Sequence, residues 1–76
     1  MNKNRRQQLR KLIERMENLQ NDLEEIASDE QDYFDLMPEN LQGSINGMNS
    51  EDALDKMSEA IDNIETAIVI IEEIIE

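Results

Sequence analysis

The chain has 76 residues and a formal net charge of −12, from 19 acidic and 7 basic side chains. It contains no Cys and no His, which excludes disulfides, Cys/His zinc sites and catalysis that depends on either side chain. A chain this short holds one domain with a small core, so regular helix packing or oligomerisation has to supply its stability.

The first predicted element is a helix over residues 3–36. From Leu9 onward the apolar positions follow one another at alternating steps of three and four, which is the a/d pattern of a coiled coil. One position in this register, Glu30, is polar. Pro38 ends the helix, because the residue before a proline is driven out of the helical region. The a/d positions are Leu9, Leu12, Met16, Leu19, Leu23, Ile26, Glu30, Tyr33 and Met37.

Residues 37–49 are predicted to form a connector that is itself partly helical. Pro38 suits the first position of a short helical turn, and Gly43 is expected to end that turn. Asn46-Gly47 is a turn signal. We expect Leu41 to pack against the ends of the two long helices.

A second helix is predicted over residues 51–76, with the same alternation of steps and no polar position in its register. Ser50 is its predicted N-cap, and Glu51 and Asp52 place negative charge in the first turn, where the helix dipole favours it. The a/d positions are Leu54, Met57, Ile61, Ile64, Ile68, Ile71 and Ile75.

Folding the second helix back on the first pairs every layer, from Leu12 with Ile75 to Tyr33 with Leu54. A repeating pattern tolerates slips of a whole heptad, so the spacing favours this register without fixing it. The charges favour the same orientation, since six of the seven bases lie in residues 1–15 and would meet the acidic end of the second helix. We therefore predict an all-α protein: an antiparallel two-helix coiled-coil hairpin with a short helical connector, in one domain spanning residues 1–76.

The second helix is apolar over a wider surface than a two-helix contact needs. Three alanines repeat at seven-residue intervals along one flank of its a/d positions, and other aliphatic residues widen the surface near its end. Such a face suits a bundle of more than two helices, so we predict that two hairpins dimerise into a four-helix bundle. The predicted self-association residues are Ala53, Ala60, Ala67, Val69, Ile70 and Ile74.

The sequence predicts no catalytic, cofactor-binding or metal-binding residues. The serines have no His to activate them, and paired carboxylates need a pocket that shifts their pKa, for which a thin hairpin has little room. Asp29, Glu30, Asp32 and Asp35 offer oxygen ligands but lack the residue order of a calcium loop. We therefore predict a non-enzymatic protein–protein interaction module.

Two other functions fit the same sequence features. One is an acidic inhibitor that mimics nucleic acid and occupies the basic surface of a nucleic-acid-binding protein. The other is a structural coiled-coil component of a larger assembly. The acidic surface of the first alternative comprises Asp22, Glu25, Asp29, Asp32, Asp55, Glu59 and Asp62.

The basic start of the chain invites comparison with a basic zipper, whose basic helix enters the DNA major groove. From Met16 onward, however, 18 acids accompany a single base, Lys56, and would repel phosphate. Direct binding of nucleic acid is therefore not expected. We find no targeting segment and no apolar run of membrane-spanning length, so we predict a cytoplasmic protein without membrane contact.

The segment Asp35-Leu36-Met37-Pro38-Glu39-Asn40-Leu41-Gln42-Gly43-Ser44 resembles the connector of a group of short, acidic, uncharacterised proteins from bacterial and phage genomes. Their pattern is a charged helix, a D-x-[LM]-P-E-[NS]-L-Q-x-S connector and an acidic helix rich in Ile and Ala. Residues 60–68 fit the last part. The resemblance implies a helical hairpin with an origin in a mobile element, and the interaction module is accordingly expected to be an accessory protein of a phage or mobile element. It brings no activity and no catalytic residues.

Overall fold

The computed structural model describes all 76 residues, as two long helices joined by a short one. Helix α1 spans Lys3–Asp35, α2 spans Glu39–Gln42 and α3 spans Ile45–Ile75. Helices α1 and α3 pack against each other in a hairpin 58 Å long and 14 to 15 Å across. The structure contains no strand. The predicted all-α helical hairpin is thereby confirmed.

The first helix and the connector form where local sequence signals place them. The side chain of Asn2 caps α1 by accepting a hydrogen bond from the backbone N–H of Arg5 at 2.8 Å. Pro38 is the residue before the first turn of α2, and Gly43 follows its last residue, so the predicted helical turn between them is confirmed. Pro38 suits the start of a helix because its φ is already helical and it has no N–H to leave unpaired.

Helix α3 begins at Ile45, six residues before the predicted start at 51, so that boundary was wrong. The cap is Ser44 rather than Ser50: the Ser44 side chain accepts a hydrogen bond from the backbone N–H of Gly47 at 3.4 Å. Both serines can cap a helix, and a start at the earlier serine lengthens α3 by nearly two turns. The turn predicted at Asn46-Gly47 is therefore the first turn of α3.

Contacts of backbone and polar groups hold the connector in place. The side-chain amide of Gln42 donates to the carbonyl oxygens of Phe34 at 3.4 Å and Met37 at 3.3 Å. Gly47 is buried where the start of α3 passes the backbone of Gln42. Leu41 is half-exposed, so the expectation that it packs against the helix ends was wrong. The connector is instead held by the hydrogen bonds of Gln42 and by the close approach of Gly47 to the Gln42 backbone.

The face of α1 that meets α3 is rotated from the predicted one. The positions Leu9, Met16, Leu23 and Glu30 are partly buried as expected. Helix α1 carries one apolar stripe on each side of these positions, and only one of the two stripes can face α3. The stripe that faces α3 is not the predicted one. The residues that complete the contact are Ile13, Gln20, Ala27 and Phe34, not Leu12, Leu19, Ile26 and Tyr33.

Two polar contacts across the helices accompany this rotation and set the register. The Gln20 amide donates to the carbonyl oxygen of Ile61 at 3.4 Å and to the Glu65 carboxylate at 3.0 Å. The Ser50 hydroxyl, which is buried, donates to the Glu30 carboxylate at 2.7 Å. The prediction placed Glu30 beside Met57, two turns further along α3 than Ser50, so that pairing was wrong. At the two ends of the hairpin, Ile13 shares a groove with Ile75 and Phe34 shares one with Leu54, each within one residue of a predicted pair. Polar groups in the contact determine the choice, because each needs a partner once it leaves water.

Removing the Ser50 hydroxyl should destabilise the hairpin, because it leaves the partly buried Glu30 carboxylate without its donor. We expect Ser50→Ala to lower the free energy of unfolding by about 1 to 2 kcal/mol relative to Ser58→Ala. Ser58 is exposed on the same helix, so Ser58→Ala is the control for the gain in helix propensity that both substitutions bring. Urea unfolding at one fixed protein concentration measures the difference. Equal stabilities would mean that the Glu30–Ser50 contact contributes nothing.

Candidate interaction surface

Four large apolar side chains form a line along the outside of α1. They recur every seven residues, and their exposed fractions lie between 40% and 61%. Because seven residues are two turns of a helix, the line stays on one side of the hairpin. We call it the α1 stripe: Leu12, Leu19, Ile26 and Tyr33.

A second line with the same spacing runs along α3. Its three alanines, Ala53, Ala60 and Ala67, are partly covered, whereas Ile74 at its end is exposed. These four residues are called the α3 flank. The expectation that the first helix would leave this flank open is thus wrong for the alanines, because the rotated α1 shields part of each of them.

The other two residues predicted for self-association lie in different places. Ile70 is one turn from both Ala67 and Ile74, so it borders the outer edge of the α3 flank. Val69 lies on the opposite side of α3, one turn from Glu65 and from Glu72. Both side chains are exposed. Five of the six predicted residues therefore share one side of α3, and Val69 does not.

The two sides of the hairpin differ in polarity. On one side, Arg10 and Ile13 of α1 form an open groove with Glu72, Ile75 and Glu76 of α3. A second groove on that side joins α1 to α3 near the connector, and the Gln20–Glu65 hydrogen bond lies between the two grooves. Its lining residues are Gln31, Phe34, Glu51, Leu54 and Asp55.

The α1 stripe and the α3 flank share the opposite side. On α1, the stripe and the Ile13 side are separated by the partly buried line of Leu9, Met16 and Leu23. On α3, the flank and the groove-lining Leu54 and Ile75 are separated by the Met57–Ile64–Ile71 line in the same way. Since the groove residues of the two helices meet on one side, the stripe and the flank must meet on the other. We call this surface the apolar face.

The hairpin leaves an unusual share of its apolar residues uncovered. Of 76 residues four are buried, and only Ile13 and Ile68 among them have large apolar side chains. Large exposed apolar patches are a usual feature of interaction sites. The heptad pattern predicted that the residues of the α1 stripe lie in the interior. The signal that could have located it was present, since Ile13, Ala27 and Phe34 form a competing stripe one residue away.

The seven carboxylates predicted as an acidic partner surface are all exposed, but they do not share one face. Asp22 and Asp29 border the α1 stripe, each one turn from a stripe residue. Asp55 instead lines a groove on the polar side. Glu25 and Asp32 lie further out on α1, and Glu59 and Asp62 on the outside of α3. The carboxylates therefore surround the hairpin rather than forming one line.

The predicted meeting of bases and acids at the open end of the hairpin involves no direct ion pair between the helices. The one ion pair in the structure joins Lys56 to Glu59 within α3, at 3.8 Å and exposed. Arg10 shares a groove with Glu72 and Glu76 without bonding to either. An exposed ion pair of this kind contributes little to stability.

The structure contains no group of three or more carboxylates placed to hold a metal ion. None of its helices combines the length and the apolar character needed to cross a membrane. Comparison with protein-family models, with curated proteins and with solved structures finds no match to this chain.

Proposed function

We propose that this protein is a non-enzymatic protein–protein interaction module that self-associates through its apolar face. Two hairpins that place these faces together form a four-helix bundle, the assembly that the wide apolar surface of the second helix predicts. The observation that carries the proposal is the union of the α1 stripe and the α3 flank on one side of the hairpin. This arrangement uses residues from both helices, so the folded hairpin, rather than either helix alone, is the binding unit.

The apolar face can pair with the same face of a second copy, because its two edges have the same length and the same spacing. Large side chains follow one edge and alanines follow the other, at the same seven-residue interval, over the whole length of the contact between α1 and α3. Heptad spacing is the repeat by which helices pack side by side over long distances. Two-fold pairing of one surface with itself is also the commonest way in which soluble proteins form dimers.

The net charge of −12 opposes the association. Burial of the apolar face has to exceed this repulsion, which salt screens over about 8 Å at physiological ionic strength. Self-association should therefore strengthen as salt is added. Binding of the carboxylates to a basic protein, as in nucleic-acid mimicry, would weaken under the same change.

Replacing one residue of the α1 stripe should weaken the dimer strongly. We expect Ile26→Gln to raise the dissociation constant by about thirtyfold, because about 1 kcal/mol of apolar burial is lost at each of two symmetry-related sites. Sedimentation equilibrium at low and moderate salt measures this. Gln is a good helix former, so the hairpin itself should remain folded.

The matched control is Val69→Gln, which replaces an exposed aliphatic residue on the carboxylate-rich side of α3. Its dissociation constant should stay within about twofold of the wild-type value, since surface substitutions away from contacts have small effects. A wild-type chain that is monomeric at about 100 μM in both salts would contradict the proposal, as that corresponds to association weaker than about 5.5 kcal/mol. It would leave the exposed carboxylates as the candidate partner surface.

A further inference from the structure

We propose that the two copies pair head to tail, with the connector of each hairpin beside the open end of the other and with Leu36 of each copy seated at the start of the other copy's α1. This inference rests on the proposed self-association and specifies its geometry. Two in-plane two-fold axes are available to a face of this shape. One keeps the connectors together, and the other places them at opposite ends of the bundle.

The distribution of charge along the hairpin favours the second axis. Residues 23–61, the half that contains the connector, carry eleven carboxylates and one lysine, for a net charge of −10. The open half, residues 1–22 and 62–76, carries eight carboxylates and six bases, for a net charge of −2. Parallel pairing would set the two strongly negative halves side by side. Head-to-tail pairing sets each of them against the half that holds the bases, which lowers the repulsion between copies.

A single two-fold axis can pair α1 with α1 and α3 with α3 of the other copy. The midpoint of the α1 stripe lies between Leu19 and Ile26, and the midpoint of the α3 flank lies between Ala60 and Ala67. These midpoints lie within about one helical turn of each other in height, because Gln20 bonds to the Ile61 carbonyl oxygen and to Glu65. A two-fold axis at this height sets the α1 stripes of the two copies against each other and the α3 flanks against each other.

The head-to-tail arrangement also matches two features at opposite ends of α1. Leu36, which is 84% exposed, follows Tyr33 by one turn at the connector end. When Leu12 of one copy meets Tyr33 of the other, Leu36 reaches the surface around Leu9. That surface is an open hollow with apolar and basic side chains. Its lining residues are Met1, Arg5, Gln8, Leu9, Lys11, Leu12 and Arg15.

The chemistry of the hollow fits this occupant. Its apolar residues can cover an aliphatic side chain, and its bases face the carboxylates that flank Leu36 on the other copy, Asp32, Asp35 and Glu39. In parallel pairing Leu36 would instead lie near the connector of the other copy, among like charges. The head-to-tail dimer is thus the pairing that covers the most exposed aliphatic residue of the chain and places bases beside acids at both ends.

A spin label at the connector separates the two orientations. Asn40→Cys supplies a single attachment site in a chain that has no other cysteine, and Asn40 is exposed on α2. Head-to-tail pairing predicts a separation between labels that approaches the 58 Å length of the hairpin. Parallel pairing predicts labels close together, near the helix spacing of about 10 Å plus the length of the labels. A dimer with the short distance overturns this inference and leaves self-association intact, whereas a monomer overturns both.

Two substitutions test whether Leu36 binds in the hollow of the other copy. Leu36→Gln should raise the dimer dissociation constant by about tenfold, because it removes an aliphatic side chain from the hollow twice in each dimer. Ile45→Gln is the matched control, since Ile45 is 78% exposed close to the connector but shares the outer side of α3 with Asp52 and Glu59. Equal dissociation constants for the two variants would show that Leu36 is not in the interface.

Discussion

Truncation of Ile68 to alanine is expected to lower the free energy of unfolding by about 3 kcal/mol. Ile68 is 3% exposed, the lowest value for any large apolar side chain in the chain, and it lies in the contact between α3 and α1. Its replacement removes three methylene-sized groups and leaves a cavity that two stiff helices close only in part. Urea unfolding at one protein concentration measures the change, with an unchanged slope as evidence that the same surface unfolds.

The neighbouring Val69 supplies the control. Val69 is exposed on the polar side of the hairpin, so Val69→Ala should change the free energy of unfolding by less than about 0.5 kcal/mol. Both substitutions shorten a β-branched residue to alanine in the same turn of α3, so they share the gain in helix propensity. A loss at Ile68 that is no larger than the change at Val69 would contradict the placement of Ile68 in the core.

The parts of the fold that could be predicted from the sequence are those set by local signals. Pro38 and Gly43 act on their own backbone and its immediate neighbours, so the end of α1 and the bounds of α2 follow from them directly. The start of α3 could not be predicted in this way, because Ser44 and Ser50 carry the same capping signal. Ser44 caps the helix, whereas the Ser50 hydroxyl bonds to Glu30, twenty residues away in the chain, and local sequence does not reveal that contact.

The position of the apolar face was harder to predict for a related reason. Helix α1 carries the stripe Leu12–Leu19–Ile26–Tyr33 and a rival through Ile13, Ala27 and Phe34, and hydrophobic spacing cannot rank them. The rival includes Gln20, which looks unfavourable until α3 offers it the Ile61 carbonyl and Glu65. The more apolar stripe is consequently left on the surface. Its exposure is the observation on which we propose self-association of the hairpin.

Substitution of Gly47 by alanine is expected to destabilise the hairpin by about 2 to 3 kcal/mol, although alanine is a better helix former than glycine. A Cβ at position 47 would lie 2.6 Å from the carbonyl carbon of Gln42 and closer still to its oxygen. These are backbone atoms of α2, so no side-chain rotation relieves the overlap. The variant has to move α2 away from α3, which breaks the hydrogen bonds that Gln42 makes to the end of α1.

At Gly43, in the same connector, we expect substitution by alanine to be tolerated. Nothing lies within 4 Å of a Cβ built at this position, and its φ of −85° is one that alanine adopts readily. Gly43→Ala should therefore leave the stability unchanged or raise it by up to about 1 kcal/mol, because it reduces the freedom of the unfolded chain. Thermal or urea unfolding of the two variants compares them directly. If Gly47→Ala were as stable as Gly43→Ala, the connector would not be held against α3, and the backbone contact at Gln42 would have no part in closing the hairpin.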